Sequence, residues 1–461
     1  NDNRSSRFEP NIVFTELTIK LEAPPRQPDP ADISESLDNL RAVFAILKGP
    51  LGMTTGWTDS QVQLGYSLMM VFYAITAYFS GMILDKWGTK PVYAIAAVLG
   101  TLGYVLTAQI NQHFAYLVTF GLIGGIATGM LWVTSTVSVR KWYIGRSYAT
   151  MWGFAFAGAP MAQFILAQML KPKVAAATKA FKEAQAAADP VQIQEATAAL
   201  EHVWKSNMVV LGIIVGVAMF IAVLVAKNGP ETYGMKPFGA MPTPAGAAAA
   251  PEYVWGLGEA FSKYAIWAVI LTFLTSMMGE FLIWTQVVSY WTKDVGLTPD
   301  KAISIYQFIG IVGIFSMPIL GKVADMVVKT VGNETKGRKI MLFIGPLTGV
   351  IACVLLLMSK TTLVAAYVAS VIFAIYWAIV PGGAVGYCGS VYGRKTLGKI
   401  WGLATLIVMG IGPFTGVQVS GFLKDHFGNY TAAVYFALCA FVVSMLVSLT
   451  LPLKAVPNKD E

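Results

Sequence analysis

The sequence predicts an all-α membrane protein whose helices cross the bilayer eleven times. Of its 461 residues, 56% are hydrophobic and only 13% are charged, and so few polar side chains cannot cover a soluble domain of ordinary composition. Uncharged runs of about 20 residues or more separate the charged residues, and this is the length that a helix needs to cross a hydrocarbon core of ~30 Å. The runs lack the alternation of polar and apolar residues that marks a transmembrane β-strand, so we predict helices throughout.

The predicted spans are the uncharged runs themselves, five in the first half of the chain and six in the second. A polar tripeptide at 111–113 is the predicted turn between two of them. The eleven spans are 60–84, 91–110, 114–139, 147–170, 206–226, 264–292, 302–321, 340–359, 361–393, 400–423 and 427–453.

The basic residues between the spans predict how the chain is oriented. If the 85–90 connection is cytoplasmic, the short connections on its side carry 13 Lys and Arg, whereas those on the other side carry only Lys293, Lys301, Lys360 and Lys424. Because basic residues are enriched on the cytoplasmic side, we expect a multi-pass protein of the cell membrane with a cytoplasmic C-terminus. The net charge of +8 is therefore a signal of topology and does not indicate nucleic-acid binding.

The three cysteines, Cys353, Cys388 and Cys439, lie within predicted spans or at their edges. A cysteine in such a place behaves as a small apolar residue, so the sequence predicts no disulfide framework, no metal site and no cofactor. The sequence also contains no motif that indicates a covalent catalyst or a nucleotide-binding site. We therefore predict that the protein is not an enzyme.

The chain repeats itself. The segments RKWYIGRSYATMWGFAFAGAP at 140–160 and RKTLGKIWGLATLIVMGIGP at 394–413 share Arg-Lys, a glycine followed by a basic residue, and a glycine-rich helix. GMILDKWGTK at 81–90 likewise matches GKVAD at 321–325. These offsets predict two similar halves, which is the usual construction of secondary transporters with a midplane binding cavity.

The segment 81–90 has the pattern Gly-x-x-x-Asp-x-x-Gly-x-Lys, which resembles the signature loop between helices 2 and 3 of the major facilitator superfamily. The resemblance implies two pseudo-symmetric helical bundles, here with five and six recognisable spans instead of six and six. It also implies a conformational latch that holds the halves together on the cytoplasmic face. The residues that it assigns to the latch are Gly81, Asp85, Gly88, Lys90, Arg140, Arg146, Gly321, Asp325, Arg338, Arg394 and Lys399.

Other segments resemble the oxalate/formate and monocarboxylate transporter branches of that superfamily. They are GWTDSQVQLGYSL at 56–68, KNGPETYGMKP at 227–237, VYGRKTLGKIWGL at 391–403 and LKDHFGNYTAAV at 423–434. The resemblance implies a carrier of a small monocarboxylate. Such carriers normally place a basic residue in helix 8 or helix 11 to pair with the substrate, but this chain has Ser316 and Met317 at the expected place in helix 8.

The first helix of the expected twelve is absent from the pattern. By the repeat offset, the counterpart of 264–292 falls near 20–50, where each charge at the centre of a helix costs roughly 2.5–3.5 kcal/mol and the prolines at 24–30 would break the helix. We predict that 1–57 is a polar segment outside the membrane, with an amphipathic piece at 37–47 on the outer surface. Three explanations are open: a wrongly assigned gene start, a natural eleven-helix variant, and a partner chain that supplies the missing helix.

The remaining divisions follow from composition. The Ala-, Glu-, Gln- and Lys-rich stretch 171–205 predicts two short helices that turn at Asp189-Pro190 outside the membrane, and PTPAGAAAAPE makes 227–263 a flexible cytoplasmic linker. The predicted bundles are 58–226 and 264–453, followed by a cytoplasmic tail at 454–461.

Glu280 is the one acidic residue in the middle of a predicted span. It lies 17 residues after Lys263 and 13 before Lys293, so at ~1.5 Å per residue it is near mid-membrane. An ionisable group at that depth is a functional candidate, and it can bind a coupling proton or a substrate. The structural alternative is a protonated side chain that hydrogen-bonds to a neighbouring backbone group, to Gln286 or to Gln307 and so holds helices together.

The resemblance implies a cavity lined by helices 1, 4, 7 and 10, and it provides the other candidates for substrate binding. They are polar or aromatic side chains that would line this cavity. They are Trp132, Thr134 and Thr136 on helix 4, Trp284 and Gln286 on helix 7, Gln307 on helix 8, Tyr376 and Trp377 on helix 10, and Tyr73 and Gln163 on flanking helices.

The sequence thus predicts a secondary active transporter that moves a small organic solute by alternating access. The leading interpretation is a proton symporter of a small solute such as a monocarboxylate, with the lipid bilayer, the solute and H⁺ as partners. One alternative is a non-transporting membrane subunit or sensor of the same fold that binds a partner protein. Another is a proton-driven exporter of cationic or amphipathic compounds.

Overall fold

The computed structural model describes residues 41–239 and 253–454, and this part of the chain is a helical bundle. Eleven of its helices are long and apolar enough to cross a membrane, which confirms the predicted number of spans. The first half contains α1 Arg41–Thr55, α2 Asp59–Trp87, α3 Thr89–Thr107, α4 His113–Trp142, α5 Tyr148–Ala187 and α6 Pro190–Val225. The second contains α7 Tyr264–Lys293, α8 Pro299–Val331, α9 Glu334–Met358, α10 Leu363–Tyr392, α11 Leu397–Phe427 and α12 Thr431–Leu449.

Three smaller features complete the chain trace. A π-helical stretch, Leu117–Ile123, lies within α4. A 3₁₀ turn, Pro230–Tyr233, follows α6, and a short helix, Leu257–Ser262, precedes α7. Residues 1–40, 240–252 and 455–461 lie outside the described residues, and with them most of the predicted N-terminal segment, the centre of the linker and nearly all of the tail.

The helix α1 occupies the place of the missing first helix over part of its length. It packs against α5 and α6, just as α7 packs against α11 and α12. Leu47 and Leu51 are each only 1% exposed, and the indole nitrogen of Trp204 donates to the hydroxyl of Thr54 at 2.9 Å. The described part of α1 has 15 residues and is about 22 Å long. Leu47, the last residue of the predicted amphipathic piece, therefore lies within the bundle and not on its outer surface.

The predicted insertion at 171–205 is a helical hairpin that continues two spans. The helix α5 runs without a break to Ala187, and α6 begins at Pro190. Ala188 adopts a left-handed conformation with φ of 53°, and Asp189 caps α6 by accepting from the Val191 nitrogen at 2.9 Å. The turn is where the sequence predicted it. The two short separate helices of that prediction are instead extensions, because Ala, Gln, Glu and Lys favour continued helix.

The two halves meet most closely at one end of the bundle, which we call the basic face. It is the end where α2 meets α3, α4 meets α5, α8 meets α9 and α10 meets α11. Here α2 packs on α11 and α5 packs on α8. A Cβ atom at Gly81 would collide with the carbonyl of Gly398, and one at Gly321 with the carbonyl of Ala149. Glycine therefore allows backbone-to-backbone approach, and the halves are closed against each other at this face.

Candidate functional site

Glu280 is buried in the second half, between α7 and α10. Its side chain is 5% exposed. The hydroxyl of Tyr376 donates to Glu280 Oε2 at 3.0 Å, and the indole nitrogen of Trp284, one helical turn further along α7, donates to Oε1 at 3.3 Å. Both donors are neutral, so they stabilise the carboxylate without cancelling its charge. The hydrogen-bond partners of Glu280 thus differ from the two glutamines of the structural alternative, since Gln286 bonds to Ser420 instead.

Aromatic rings surround the indole of Trp284. Its ring centroid lies 5.1 Å from that of Trp377, 5.4 Å from that of Phe373 and 5.6 Å from that of Tyr306, each pair edge to face. Phe373 also stacks on Tyr376 at 5.6 Å. We call these five rings and Glu280 the acid-aromatic cluster. It joins α7, α8 and α10, and it reaches the interface between the halves, because a Cβ at Gly313 on α8 would touch both Trp377 and Pro160 of α5.

Two buried serine hydroxyls join α7 to α12 one helical turn from Glu280. The Oγ of Ser276 lies 2.7 Å from that of Ser444, and Ser444 donates to the carbonyl of Thr272 at 2.7 Å. Both serines are fully buried. Because both hydroxyls have partners, this contact holds α7 against α12 beside the cluster.

Three of the predicted substrate residues, Trp284, Tyr376 and Trp377, thus lie together beside Glu280. Gln286 does not join them. It follows Glu280 by six residues, which turns its side chain by about 240° around the helix axis, and its Nε2 donates to Ser420 on α11 at 3.2 Å. Gln307 is half-buried on α8.

The candidates of the first half make contacts within their own half. The hydroxyl of Thr134 lies 3.1 Å from that of Ser80 on α2, and Thr136 donates to the carbonyl of Trp132 one turn earlier. Tyr73 is buried where α2 passes α4. Trp132 differs, because its indole nitrogen is buried and has no hydrogen-bond partner among the described residues. The side chain of Gln163 lies outside the described residues.

Sequence reasoning missed Tyr306 and Phe373. The sequence does contain a signal for Phe373, because Phe373, Tyr376 and Trp377 follow the i, i+3, i+4 spacing that places side chains on one face of a helix. No such signal marks Tyr306, whose ring is brought to Trp284 only by the packing of α8.

On the basic face, Asp85 binds the first turn of α11 in the other half. Its Oδ1 accepts from the Gly398 nitrogen at 3.2 Å and its Oδ2 from the Lys399 nitrogen at 2.7 Å, while Lys141 Nζ lies 3.4 Å away. A carboxylate is favourable at a helix N-terminus, where free N–H groups and the helix dipole meet it. Glycine at position 398 is required here, because a Cβ would lie 2.5 Å from Asp85 Oδ1.

Asp325 makes the equivalent contact from the second half, with the first turn of α5. It accepts from the nitrogens of Ala149 and Thr150 at 3.0 and 2.7 Å and from the Thr150 hydroxyl at 2.6 Å. Arg338, only 1% exposed, lies 3.0 Å from Asp325 and donates to the carbonyl of Gly145 at 2.7 Å. Each half therefore presents one acid to a helix N-terminus of the other.

Further ion pairs join the halves, and neither of their two acids, Glu334 and Glu231, was predicted. Glu334, at the start of α9, pairs with Arg140 at 2.5 Å and accepts from the Gly145 nitrogen at 3.0 Å. Arg394 pairs with Glu231 at 2.6 Å and donates to the carbonyl of Lys141.

Three predicted members of the latch have other surroundings. Lys90 and Arg146 are exposed. Gly88 has a φ of 86° and lies against Asn228, whose Oδ1 accepts from the Thr89 nitrogen at 3.0 Å. Gly88 thus joins α2 and α3 to the segment after α6. In the described residues no group of three or more His, Cys, Asp or Glu could hold a metal ion.

Comparisons with known proteins agree with this architecture. The family model described as Major Facilitator Superfamily matches residues 38–417. A probable anion transporter 2, chloroplastic, of Oryza sativa subsp. japonica is 23% identical over 420 residues, which cover 87% of this chain and 72% of that protein. Monocarboxylate transporter 14 of Homo sapiens is 28% identical over 106 residues, which cover 23% of this chain and 20% of that protein.

Solved structures show the same fold at low sequence identity. The transporter FucP in its outward conformation has a TM-score of 0.68 at 15% identity, with 92% of this chain and 98% of that chain covered. The proton:xylose symporter XylE has a TM-score of 0.65 at 13% identity, with 92% and 94% covered. At such identities the likeness concerns the fold alone.

Proposed function

The chain belongs to the Major Facilitator Superfamily, and from this premise we propose that it is a proton-coupled carrier of a small organic anion, with monocarboxylates as the first class to test. It alternates between the two membrane faces by rocking one half against the other about a midplane site. The acid-aromatic cluster is the observation that carries this proposal.

Glu280 has the properties of a coupling group. Hydrocarbon penalises the charged carboxylate far more than the protonated acid, so the charge of this side chain depends on which face supplies water and protons. Its two neutral donors, Tyr376 and Trp284, hold the carboxylate in place while the proton is absent. A proton that binds at one face and leaves at the other would thereby couple its gradient to the rocking of the halves.

The order of binding follows from charge. An anion meets repulsion beside an ionised Glu280 and none beside the protonated acid, so the proton binds first and the anion second. The free indole nitrogen of Trp132 is a donor that an oxyanion could use, since a buried N–H without a partner gains a full hydrogen bond from a ligand. The anion and monocarboxylate transporters among the relatives support this class of substrate.

The orientation of the cycle follows from the basic face. Its carboxylates, glycines and ion pairs close the two halves together, so this conformation gives a substrate access from the opposite face. With the basic face in the cytoplasm, as the distribution of Lys and Arg predicts, this is an outward-facing or occluded state of a cell-membrane carrier.

The test is uptake by the purified full chain in proteoliposomes under an imposed pH gradient. Labelled formate, lactate, pyruvate and oxalate are the probes, and glucose is the neutral control. We expect one or more of the acids to accumulate when the donor side is acidic and to stop when an ionophore collapses the gradient. Absence of flux for every acid, together with a protein that copurifies tightly, would support the non-transporting subunit instead.

A second candidate function, the proton-driven export of organic cations, is favoured by the same cluster. A carboxylate beside several aromatic faces also suits a cation, which both groups attract. Labelled tetraphenylphosphonium in the same vesicles distinguishes the two: exchange of this cation for protons, without movement of any acid, would replace the carboxylate carrier with the exporter.

Replacing Tyr376 with Phe should slow proton-driven uptake roughly tenfold, because a hydrogen bond to a charged group contributes about 1.5–3 kcal/mol. The matched control is Tyr387→Phe on the same helix, whose hydroxyl donates to the Pro452 carbonyl at 2.9 Å far from Glu280. Initial rates of uptake at equal protein density check the difference. Equal rates for the two variants would remove Tyr376 from the coupling site.

A further inference from the structure

Three of the four lysines in the short connections on the face opposite the basic face meet in one cleft. Lys293 ends α7, Lys360 lies between α9 and α10, and Lys424 lies in the last turn of α11. All three line a cleft of about 880 Å³ beside the turn that joins α11 to α12. Because like charges repel, this gathering of three of the four lysines of the short connections points to an anionic occupant.

Protein contacts position two of the ammonium groups at the rim. Lys360 Nζ donates to the Thr431 hydroxyl at 2.6 Å, and it lies 5.9 Å from the centroid of the Tyr290 ring. Lys293 Nζ lies 5.7 Å from the centroid of the Tyr430 ring. These neutral partners hold the ammonium groups without neutralising them.

The acids near the rim leave the cleft positive. Asp294 lines it, but its Oδ2 is engaged by the Tyr430 nitrogen at 2.9 Å and by the Thr431 hydroxyl at 2.8 Å. Asp425 pairs with Lys424 at 2.8 Å, is 73% exposed and does not line the cleft. Three ammonium groups therefore face two carboxylates, and the rim keeps one excess positive charge.

The rest of the wall is mostly apolar and descends along α12. It includes Leu423, Phe427, Tyr435, Phe436 and Cys439, of which Tyr435 and Cys439 are exposed on the outside of the bundle. The lysines lie at helix ends, at the depth of lipid headgroups, whereas Cys439 is two turns further into the span. The cleft is thus basic at the rim and apolar below.

We propose that this cleft binds an anionic phospholipid of the adjoining leaflet, with the phosphate between the three lysines and an acyl chain against α12. Lysines attract phosphate as point charges, and each basic residue near an anionic lipid surface adds to the affinity. A free phosphate would use the rim but gain nothing from the apolar wall. The proposal does not depend on what the carrier transports.

The experiment counts lipids on the purified full chain by native mass spectrometry during titration with phosphatidylglycerol or phosphatidylcholine. We expect wild type to prefer phosphatidylglycerol. The triple variant Lys293→Gln, Lys360→Gln, Lys424→Gln should bind phosphatidylglycerol roughly 10- to 100-fold more weakly, with its affinity for phosphatidylcholine unchanged. A thermal unfolding scan of each variant in detergent confirms that the chain is folded.

The matched control removes three exposed lysines from the α5–α6 hairpin, with the variant Lys173→Gln, Lys179→Gln, Lys182→Gln. It has the same change of charge, and we expect it to keep the preference of wild type. Inorganic phosphate at millimolar concentration is the competitor. Equal binding by the cleft variant and wild type would overturn the proposal, and so would displacement of the lipid by inorganic phosphate, which would indicate a site for small anions.

Discussion

Replacing Glu280 with Gln is expected to abolish accumulation against a gradient while leaving downhill exchange of the substrate. Gln is nearly isosteric, and its one amide oxygen can still accept from Tyr376 or from Trp284, but it cannot bind and release a proton. A gradient of two pH units supplies about 2.7 kcal/mol per proton, enough for roughly 100-fold accumulation by a one-proton symporter. With the variant, the substrate should only reach equal concentrations on both sides of the membrane. Labelled substrate in proteoliposomes measures this.

The matched control is Glu259→Gln. Glu259 also accepts from a tyrosine hydroxyl, that of Tyr253 at 3.1 Å, but it lies in the short helix before α7 and outside the spans. We expect this control to accumulate substrate as wild type does. Accumulation by Glu280→Gln at the level of wild type would show that another group couples the proton, and loss of counterflow for an organic cation would point to the exporter.

Replacing Asp85 or Asp325 with Asn is expected to open the basic face. Each carboxylate accepts two backbone N–H bonds from a helix of the other half. An amide offers one oxygen without charge, so at least one charge-assisted bond is lost. At about 1.5–3 kcal/mol per bond, the equilibrium between closed and open states should shift roughly 10- to 100-fold toward open.

Cys388 reports this opening. It is buried on α10, one residue from Gly389, where a Cβ would touch the side chain of Arg140 in the other half. In a background with Cys353→Ala and Cys439→Ala, the rate of labelling by a small maleimide should rise by the same factor in either Asn variant.

The control for the Asp85→Asn and Asp325→Asn variants is Asp189→Asn. It changes another carboxylate at a helix N-terminus, but this carboxylate lies in the α5–α6 hairpin, away from the contact between the halves. Its labelling rate should equal that of wild type. If labelling of Cys388 stays slow in both Asn variants while thermal scans show folded protein, the two acids do not hold the basic face closed.

Several features could be derived from the sequence because they depend only on how deep a residue lies in the membrane. Hydrocarbon penalises a charged side chain whatever its neighbours are, so the gaps between charged residues located all eleven spans and placed Glu280 near their middle. The internal repeat related Asp85 to Asp325, and the structure gives them equivalent contacts at the N-termini of α11 and α5.

The helix α1 marks the limit of that reasoning. Its charged residues and prolines excluded it from the predicted spans, and nothing in its pattern shows that Leu47 and Leu51 pack against α5 and α6. Those contacts come from residues more than 90 positions away.

By itself, then, the sequence determined the number of recognisable membrane spans, their doubling into halves and the depth of the one central acid. The tertiary structure alone decided which way each helix is turned. It placed Gln286 against α11 and Tyr376 against Glu280, added Tyr306 and Phe373 to the cluster, and brought three distant lysines into one cleft. The reason is physical: depth in a membrane is set by transfer free energy residue by residue, whereas lateral contacts depend on packing between helices far apart in the chain.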